Sequence, residues 1–350
     1  MKTPEIYVSR IGIIRDIMRE KGIDAVIIAG SDPHSSEYPA ERWKQVQWVC
    51  GFTGEAGDVV ITLDHAGLWT DTRYFIQAVE QLEGTGVELH KTRIPGEIRI
   101  QQWLAEYAFE GDVRHVTVAV DGLAQTVDSV ENLKNAFRKA GRIEMGDGDN
   151  SFSIIDLPDM LEAVWMDRPS VPSTEIYRLP DEVAGESRQS RLQWLRDFID
   201  ENNCSAMLVT ALDEIVWLLN VRASDVAYNP VALSYLLVTW DKAVWYVDKA
   251  GEKSPVTAET YAELEEDGVE IRSYDAVFEE LASPEALNFT ALYVDPSTLN
   301  WHLSRVLDGI SDRIRLSMGA SPVPLRKSVK NTVEIEGMRS AHFEDGIVME

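Results

Sequence analysis

The chain has 350 residues, of which 45% are hydrophobic, and a formal net charge of −26. This length predicts two domains, since a single hydrophobic core stops growing at roughly 250 residues. So large an excess of carboxylates argues against binding to phosphate backbones or anionic membranes, and no apolar run approaches the roughly 20 residues of a membrane span. We therefore expect neither a nucleic-acid nor a membrane partner. The two cysteines, Cys50 and Cys204, are too few for a disulfide framework, and no signal peptide is evident, which favours a cytoplasmic location.

The first part of the chain alternates between predicted helices and strands. Short runs rich in valine and isoleucine predict strands of a sheet that is covered on both faces. A tight turn at 64–67 predicts a hairpin, so the sheet should be mixed. The predicted elements are a helix at 5–21, strands at 24–29, 57–63 and 66–70, a helix at 72–82, a strand at 87–91, a helix at 96–108, a strand at 113–121 and a helix at 124–140.

The second part repeats this alternation after a proline-rich segment that predicts an extended connector. Its predicted elements are a helix at 186–202, strands at 205–210, 233–239 and 243–247, helices at 257–266 and 276–282, a strand at 291–295 and a helix at 297–310. We therefore predict a first α/β domain at 1–165, a connector at 166–184, a second α/β domain at 185–320 and the start of a further domain at 321–350.

The two parts are diverged copies of one sequence. Residues 15–32 align without a gap on 196–213, and residues 59–71 align on 236–248. The matched residues include Thr62 with Thr239, Asp64 with Asp241 and Asp71 with Asp248, and Trp48 and Trp217 lie between the aligned blocks. A period this long indicates two similar domains, not a solenoid. The predicted fold class is α/β, with two similar domains that each contain a mixed β-sheet flanked by helices.

The last thirty residues predict the beginning of another domain. Pro322 and Pro324 should interrupt any preceding helix. Asn331, followed three residues later by Glu334, has the form of a capping pair. Ile335, Met338, His342, Asp345 and Met349 then follow at helical spacing, apolar except at two places, and no glycine or proline ends the pattern. We interpret this segment as the opening helix of a domain that continues beyond the chain.

The residues do not form a complete active site in sequence. Neither the zinc-protease nor the serine-hydrolase motif occurs, and neither cysteine has a histidine at a telling spacing. Gly51, Gly54 and Gly57 precede a predicted strand, whereas the glycines of a dinucleotide site follow one. We therefore expect no metal ligand and no catalytic residue in this chain. The six scattered histidines are His34, His65, His90, His115, His302 and His342.

Two loops nevertheless have unusual composition. In segment 69–78, Asp71 is placed to cap the following helix, which would put Arg73 in the first turn, an unfavourable place for a cation. Arg73 could form a surface pair with Asp71 or Glu55, or bind a carboxylate or a substrate carbonyl. Segment 220–230 is rich in side chains that bond nearby backbone, so it should be an ordered loop, either a structural corner or the rim of a site.

Three segments, in order, resemble the long, three-domain form of Xaa-Pro aminopeptidase, also called aminopeptidase P, of the creatinase and prolidase group. GFTGEAG at 51–57 and GLWTDTRYFIQA at 67–78 resemble the signature of its first domain. DEIVWLLNVRASDVAYNPV at 213–231 resembles that of the second domain. SVKNTVEIEGMRSAHFEDGI at 328–347 resembles the opening helix of its catalytic domain. Together these matches extend over almost the whole chain.

The resemblance implies that the full-length protein is a metallo-exopeptidase that releases the N-terminal residue from peptides with proline in second place. This chain would be a non-catalytic region that shapes the substrate cleft and contributes oligomer contacts. In the family two divalent ions, manganese expected, are held by two aspartates, a histidine and two glutamates of a third, "pita-bread" domain, so we expect none bound here. A homodimer is implied for the full-length enzyme. The family's substrate-contacting arginine matches Arg73.

An alternative is a non-enzymatic protein that retains the peptidase fold and binds a peptide or protein, as one histone-chaperone subunit does. The acidic surface would suit a basic partner. Prolidase and creatinase themselves usually carry one such N-terminal repeat, not two. Thr72 and Ala223 depart from the family, which often has glycine there, and a positive φ at either position would strain the loop.

Overall fold

The computed structural model describes residues 4–111, 114–144, 148–248, 256–283 and 288–349. The chain forms two compact units. The first consists of Met1–Val171 together with Asn300–Ser304, and the second of Pro172–Leu299 together with Arg305–Glu350. The border in sequence between the two units falls inside the segment 166–184 that we predict to be a connector.

The first unit contains five α-helices and seven strands among its described residues up to 171. They are α1 (Pro4–Lys21), β1 (Ala25–Ile28), α2 (Gln45–Cys50), β2 (Gly57–Thr62), β3 (Ala66–Thr70), α3 (Phe75–Leu82), β4 (Glu88–Lys91), α4 (Ile100–Gln102), β5 (Val116–Val120), α5 (Val127–Lys139), β6 (Ile143–Glu144) and β7 (Ser151–Asp156). A 3₁₀ turn at Glu41–Trp43 precedes α2, and a π-helical turn at Trp103–Tyr107 continues α4.

The first sheet has the strand order β4-β3-β2-β1-β5-β7-β6. β2 is antiparallel to both β1 and β3, whereas β4, β5, β6 and β7 join their neighbours in parallel. Every residue of β1 and β3 is buried, as expected for strands covered on both faces. The predictions of the hairpin and of a mixed sheet are confirmed.

The remaining elements belong to the second unit, except that the first residues of α11 lie in the stretch 300–304 of the first unit. They are β8 (Tyr177–Arg178), α6 (Asp181–Ala184), α7 (Arg188–Glu201), β9 (Ala206–Val209), α8 (Leu212–Leu218), β10 (Val221–Arg222), β11 (Ser234–Thr239), β12 (Ala243–Val247), α9 (Ala258–Glu266), β13 (Val269–Arg272), α10 (Ala276–Leu281), β14 (Ala291–Val294), α11 (Trp301–Asp308), β15 (Arg315–Met318), α12 (Val323–Ser328) and α13 (Thr332–Met349). Among the described residues, no helix combines the length and apolar content that crossing a bilayer requires.

The second sheet repeats the topology of the first. Its order is β13-β12-β11-β9-β14-β15, and β8 and β10 form a separate two-stranded sheet. β11 is antiparallel to β9 and β12, and the outer strands are parallel to their neighbours. Strand by strand, this matches β4-β3-β2-β1-β5-β7. The prediction of two similar mixed α/β domains is confirmed.

Aligned residues of the two copies also make the same contacts. The Nε of Arg15 on α1 donates to the backbone carbonyl of Thr62 at 2.9 Å, and the Nε of Arg196 on α7 donates to that of Thr239 at 2.9 Å. Each threonine hydroxyl in turn donates to the aspartate two residues later, at 2.8 and 2.7 Å. In both copies the same hydrogen bond therefore connects the first long helix to the β-hairpin.

Several short elements were not predicted. α2 and α8, which carry Trp48 and Trp217, have six and seven residues, nearly all buried, so they show no amphipathic period. β7, β13 and β15 were also missed. Within the segment 166–184, β8 is extended and α6 is a short helix.

The end of the chain forms two helices. Pro322 is the N-cap residue of α12, and Pro324 lies in its first turn, where proline is tolerated. The predicted cap of α13 is confirmed: the backbone N–H of Asn331 donates to the carboxylate of Glu334 at 2.9 Å, and the backbone N–H of Glu334 donates to Asn331 Oδ1 at 2.9 Å. No residue of α13 up to Met349 is buried.

Candidate substrate-contacting site

Arg73 lies in the turn that joins β3 to α3. Its backbone N–H donates to Asp71 Oδ1 at 3.1 Å, its Nε to the same oxygen at 3.0 Å and its Nη2 to Oδ2 at 2.9 Å. The backbone N–H of Tyr74 donates to the carbonyl of Asp71 at 3.0 Å. One carboxylate therefore fixes both the turn and the plane of the guanidinium.

Asp71 is the buried member of this pair. Its side chain is 4% exposed, whereas that of Arg73 is 54% exposed. The hydrogen bond from Arg73 lowers the pKa of Asp71 and raises the pKa of Arg73, so both groups stay charged. A second guanidinium, that of Arg93, lies 3.6 Å from Oδ2. Asp71 is therefore shared by two cations.

The predicted position of Arg73 in the first turn of a helix is wrong. α3 begins at Phe75, and its N-cap residue Tyr74 makes no side-chain cap. Asp71 bonds inside the preceding turn, so Arg73 does not oppose the helix dipole from within the first turn. Among the described residues, the guanidinium hydrogen bonds of Arg73 use Nε and Nη2, both to Asp71. The two N–H groups of Nη1 are therefore available to another acceptor.

The glycine-rich segment 51–57 packs against this turn. Gly51 ends α2 with a φ of 84°, in the left-handed region that favours glycine. The ring of Phe52 meets that of Tyr74 edge to face, with centroids 5.8 Å apart. A Cβ on Gly54 would lie 2.3 Å from Phe52 and 2.8 Å from Tyr74. Two of the segments that carry the family resemblance therefore contact each other.

A cavity of about 400 Å³ opens beside Asp71 in the first unit. Its charged lining includes Asp71, Arg93, Glu97 and Arg99, and Trp69 supplies an apolar wall. Arg93 has a φ of 57°, and its backbone N–H donates to the carboxylate of Glu97. Asp71 lines this cavity and also accepts the hydrogen bonds of Arg73, so the cavity lies next to that guanidinium.

The second copy of the module does not carry an arginine at the position of Arg73. Continuing the alignment from Asp248, the equivalent of Asp71, places Ala250 opposite Arg73; residue 250 lies outside the described residues. The aligned position of the second module therefore offers no guanidinium.

The segment 220–230 in the second unit is an ordered loop held by its own polar side chains. Asn220 is fully buried, with a φ of 51°, and its Oδ1 accepts from Arg191. Asp225 accepts from the backbone N–H of Thr174 at 2.8 Å and from its hydroxyl at 2.7 Å, and burial raises the pKa of Asp225. The polar side chains hold the loop itself, as expected of an ordered loop.

The two departures from the family pattern cause no backbone strain. Neither Thr72 nor Ala223 is among the described residues with positive φ. Positive φ is the conformation that would favour glycine at these positions.

Three metal-ligating side chains come together in the first unit, although their sequence spacing predicted no site. Among the described residues, His65, Glu88 and His90 form the one group of at least three such side chains with nearby ligand atoms. This group supplies a single carboxylate, whereas the two-ion centre implied by the resemblance uses four. The described residues therefore do not fit that centre.

Known proteins that resemble this chain in sequence carry the same domain. Residues 10–155 and 167–334 each match a sequence profile of the creatinase/prolidase N-terminal domain. The chain is similar to probable Xaa-Pro aminopeptidase P of Pyricularia oryzae, with 35% identity over 97% of this chain and 54% of the relative. It is also similar to aminopeptidase P2 of Arabidopsis thaliana, with 31% identity over 99% of this chain and 50% of the relative. The chain thus spans about half the length of these curated relatives.

A solved structure shows the same likeness. The chain superposes on the X-prolyl aminopeptidase of Caenorhabditis elegans with a TM-score of 0.83 and 26% identity, over 98% of this chain and 54% of that one. That protein is described as a cytosolic enzyme with a di-nuclear active site. The two sequence matches together extend over most of the chain, and each coincides with one of the repeated sheets. The chain therefore belongs to the creatinase/prolidase N-terminal domain family, whose domain it carries twice.

Proposed function

We propose that this chain is the non-catalytic N-terminal region of a metallo-exopeptidase that releases the N-terminal residue from Xaa-Pro peptides. The observation that carries the proposal is the similarity over nearly the whole chain to Xaa-Pro aminopeptidases P, joined to the exposed, fixed guanidinium of Arg73. In this role the two modules shape the substrate cleft beside a catalytic domain.

Arg73 would bind a carbonyl oxygen of the peptide substrate. Asp71 holds the guanidinium through two of its nitrogens, so a substrate could bind Nη1 without first ordering a flexible side chain. A hydrogen bond from a charged donor contributes about 1.5–3 kcal/mol. Proline in second place offers no N–H, so carbonyl acceptors are the backbone groups left for recognition around that residue.

The hydrolysis itself would depend on two divalent ions, with manganese as our candidate. The di-nuclear site of the C. elegans enzyme supports the number of ions. Such ions supply an activated water and stabilise the charge that develops on the carbonyl. None of the residues described here is assigned to that centre. The role of this chain in the reaction is to position the peptide.

We further propose that the complete enzyme is a cytoplasmic homodimer. The C. elegans protein is described as cytosolic, and both cysteines of this chain are free and buried. The family resemblance supports the dimer, and light scattering of the complete enzyme would test it. A monomeric mass at micromolar concentration would contradict that part of the proposal.

The decisive experiment compares Xaa-Pro peptide hydrolysis by the complete enzyme, with and without manganese, in Arg73→Ala and Arg73→Lys variants. We expect kcat/KM to fall about ten- to a hundredfold in Arg73→Ala. Lysine should restore activity only in part, because it lacks the planar donor pair. Arg19→Ala is the matched control, since Arg19 is similarly exposed and pairs with Asp16.

Two results would overturn these proposals. An unchanged kcat/KM in Arg73→Ala would remove the substrate-contacting role. A complete protein with no peptidase activity under any divalent ion would support the non-enzymatic binding module instead.

A further inference from the structure

Two histidines from neighbouring strands meet on one face of the first sheet. His65 immediately precedes β3, and His90 lies on β4; their Nε2 atoms are 3.2 Å apart. The parallel register pairs Gly67 with Glu88 and Trp69 with His90. Since side chains alternate along a strand, His65, Gly67 and Trp69 share a face. Their partners Glu88 and His90 lie on that same face.

The imidazole rings of His65 and His90 fill the space beside Gly67. A Cβ on Gly67 would lie 2.7 Å from the His90 ring and 2.8 Å from His65 Nε2, so glycine leaves the space that the rings fill. The indole of Trp69 stacks on His90 with centroids 3.8 Å apart and an angle of 6°. The ring centroid of Trp103 lies 4.8 Å from that of His65. These contacts fix both rings in place.

The second unit fills the equivalent place differently. The repeat alignment and the strand register put Lys242, Glu270 and Arg272 where the first unit has His65, Glu88 and His90. Lys242 Nζ lies 3.2 Å from one oxygen of Glu270, and Arg272 Nη2 lies 2.5 Å from the other. In that copy two fixed cations neutralise the carboxylate.

The first unit keeps the carboxylate without those cations. Glu88 Oε2 lies 3.8 Å from His65 Nδ1, a pair that is ionic only when the histidine is protonated. A neutral imidazole has one ring nitrogen with a free lone pair for a metal ion.

We propose that His65, His90 and Glu88 bind one zinc ion. Zn–N bonds of about 2.0–2.1 Å in a tetrahedron place two nitrogens about 3.3–3.4 Å apart, close to the 3.2 Å observed. The Glu88 oxygen lies within 4.8 Å of a nitrogen of each histidine. The Glu88 side chain is 68% exposed, so it can turn toward the ion. Two imidazoles and a carboxylate suit zinc.

The proposed ion has a structural role. β4 is the outermost strand of the first sheet, and the ligands come from β4 and from the residue before β3. Zinc would thus supply the positive charge that Lys242 and Arg272 provide in the second unit, and would tie the edge strand to its neighbour. A water molecule would complete the tetrahedron.

The test measures zinc binding to the 350-residue chain by equilibrium dialysis in excess magnesium, which occupies surface carboxylates. Cobalt absorption then reports the ligand geometry. We expect one saturable zinc ion, a tetrahedral cobalt spectrum and a zinc-dependent rise in thermal midpoint. E88Q should weaken binding at least about tenfold. H65K/H90R, which installs the second unit's residues, should fold and lose the site. H342Q, in exposed α13, is the matched control and should bind as the unaltered chain does.

Binding that is equal in the unaltered chain and in H65K/H90R would overturn the proposal. The contact between the two Nε2 atoms would then be a hydrogen bond between neutral rings, and any bound zinc would belong to surface carboxylates. Unchanged affinity in E88Q would remove Glu88 from the ligand set and would overturn the three-ligand site as stated.

Discussion

Glu214 should make the second unit less stable as the pH rises through the neutral range. It lies on α8 with 4% of its surface exposed. Its Oε2 accepts a hydrogen bond from the hydroxyl of Ser321 at 2.6 Å. Burial raises the pKa of Glu214 from 4.5 to about 7. The native side chain therefore retains a proton at pH values where the unfolded chain has lost it.

The direction and size of the effect follow from this difference. Between pH 4.5 and about 7 the native state binds more protons than the unfolded state, so stability falls as pH rises and levels off above pH 7. At about 1.4 kcal/mol for each tenfold change in proton affinity, ionisation of Glu214 costs about 3 kcal/mol at pH 8. At pH 4.5 the cost is small.

The variant that removes this effect is Glu214→Gln, because glutamine resembles the protonated acid and can still accept from Ser321. We expect it to be about 3 kcal/mol more stable than the unaltered second unit at pH 8 and nearly equal at pH 4.5. Hydrogen exchange of the α8 amides in urea reports this unit specifically. Glu201→Gln on α7 is the control, since Glu201 is exposed and the substitution should change stability little. Parallel pH curves for the unaltered chain and Glu214→Gln would refute the reasoning.

Two further predictions concern the first unit. The pKa of Asp71 is lowered by Arg73, so the native carboxylate adds stability that is lost as pH falls through its titration. Asp71→Asn should therefore lower the stability of the first unit at pH 7 and make that stability less dependent on pH in the acid range. An acid-unfolding curve identical to that of the unaltered chain would contradict this. A Cβ on Gly30 would lie 2.2 Å from the carbonyl oxygen of Gly57, so Gly30→Ala should destabilise the unit by more than about 2 kcal/mol in urea unfolding. Gly12→Ala, on α1 with nothing within 4 Å of the new Cβ, should instead stabilise it by about 0.5–1 kcal/mol, and equal effects of the two substitutions would show that the steric contact is unimportant.

Local patterns in the sequence were sufficient for the longer elements. Dense valine and isoleucine located β1 and β2 to within a residue or two, and the pairing of Asn331 with Glu334 located the start of α13. The repeat was visible because Thr62 and Thr239 each donate their side-chain hydroxyl to the aspartate two residues later. That contact preserves residue identity in both copies, so it leaves a trace in sequence.

What the sequence did not reveal depends on contacts between distant residues. α2 and α8 are short and buried on nearly every side, so no polar face marks them. Asp71 was expected to cap a helix because the alternative, a turn closed around Arg73, has the same residues in the same order. His65 and His90 looked scattered, since only the parallel pairing of β3 with β4 brings residues 25 positions apart into contact.

The duplicated strand order also bears on how each unit folds. The β2–β3 hairpin joins Ile61 to Ala66, whereas the β1–β5 ladder must join Ala25 to Val118. Hairpins of this kind form in microseconds, and closing so long an intervening loop comes later. The equivalent late step in the other copy joins Ala206 to Leu292, so we expect pulse-labelling exchange to protect both hairpins before either central parallel ladder, and the reverse order would contradict this. The duplicated domains would then share an order of folding as well as a fold.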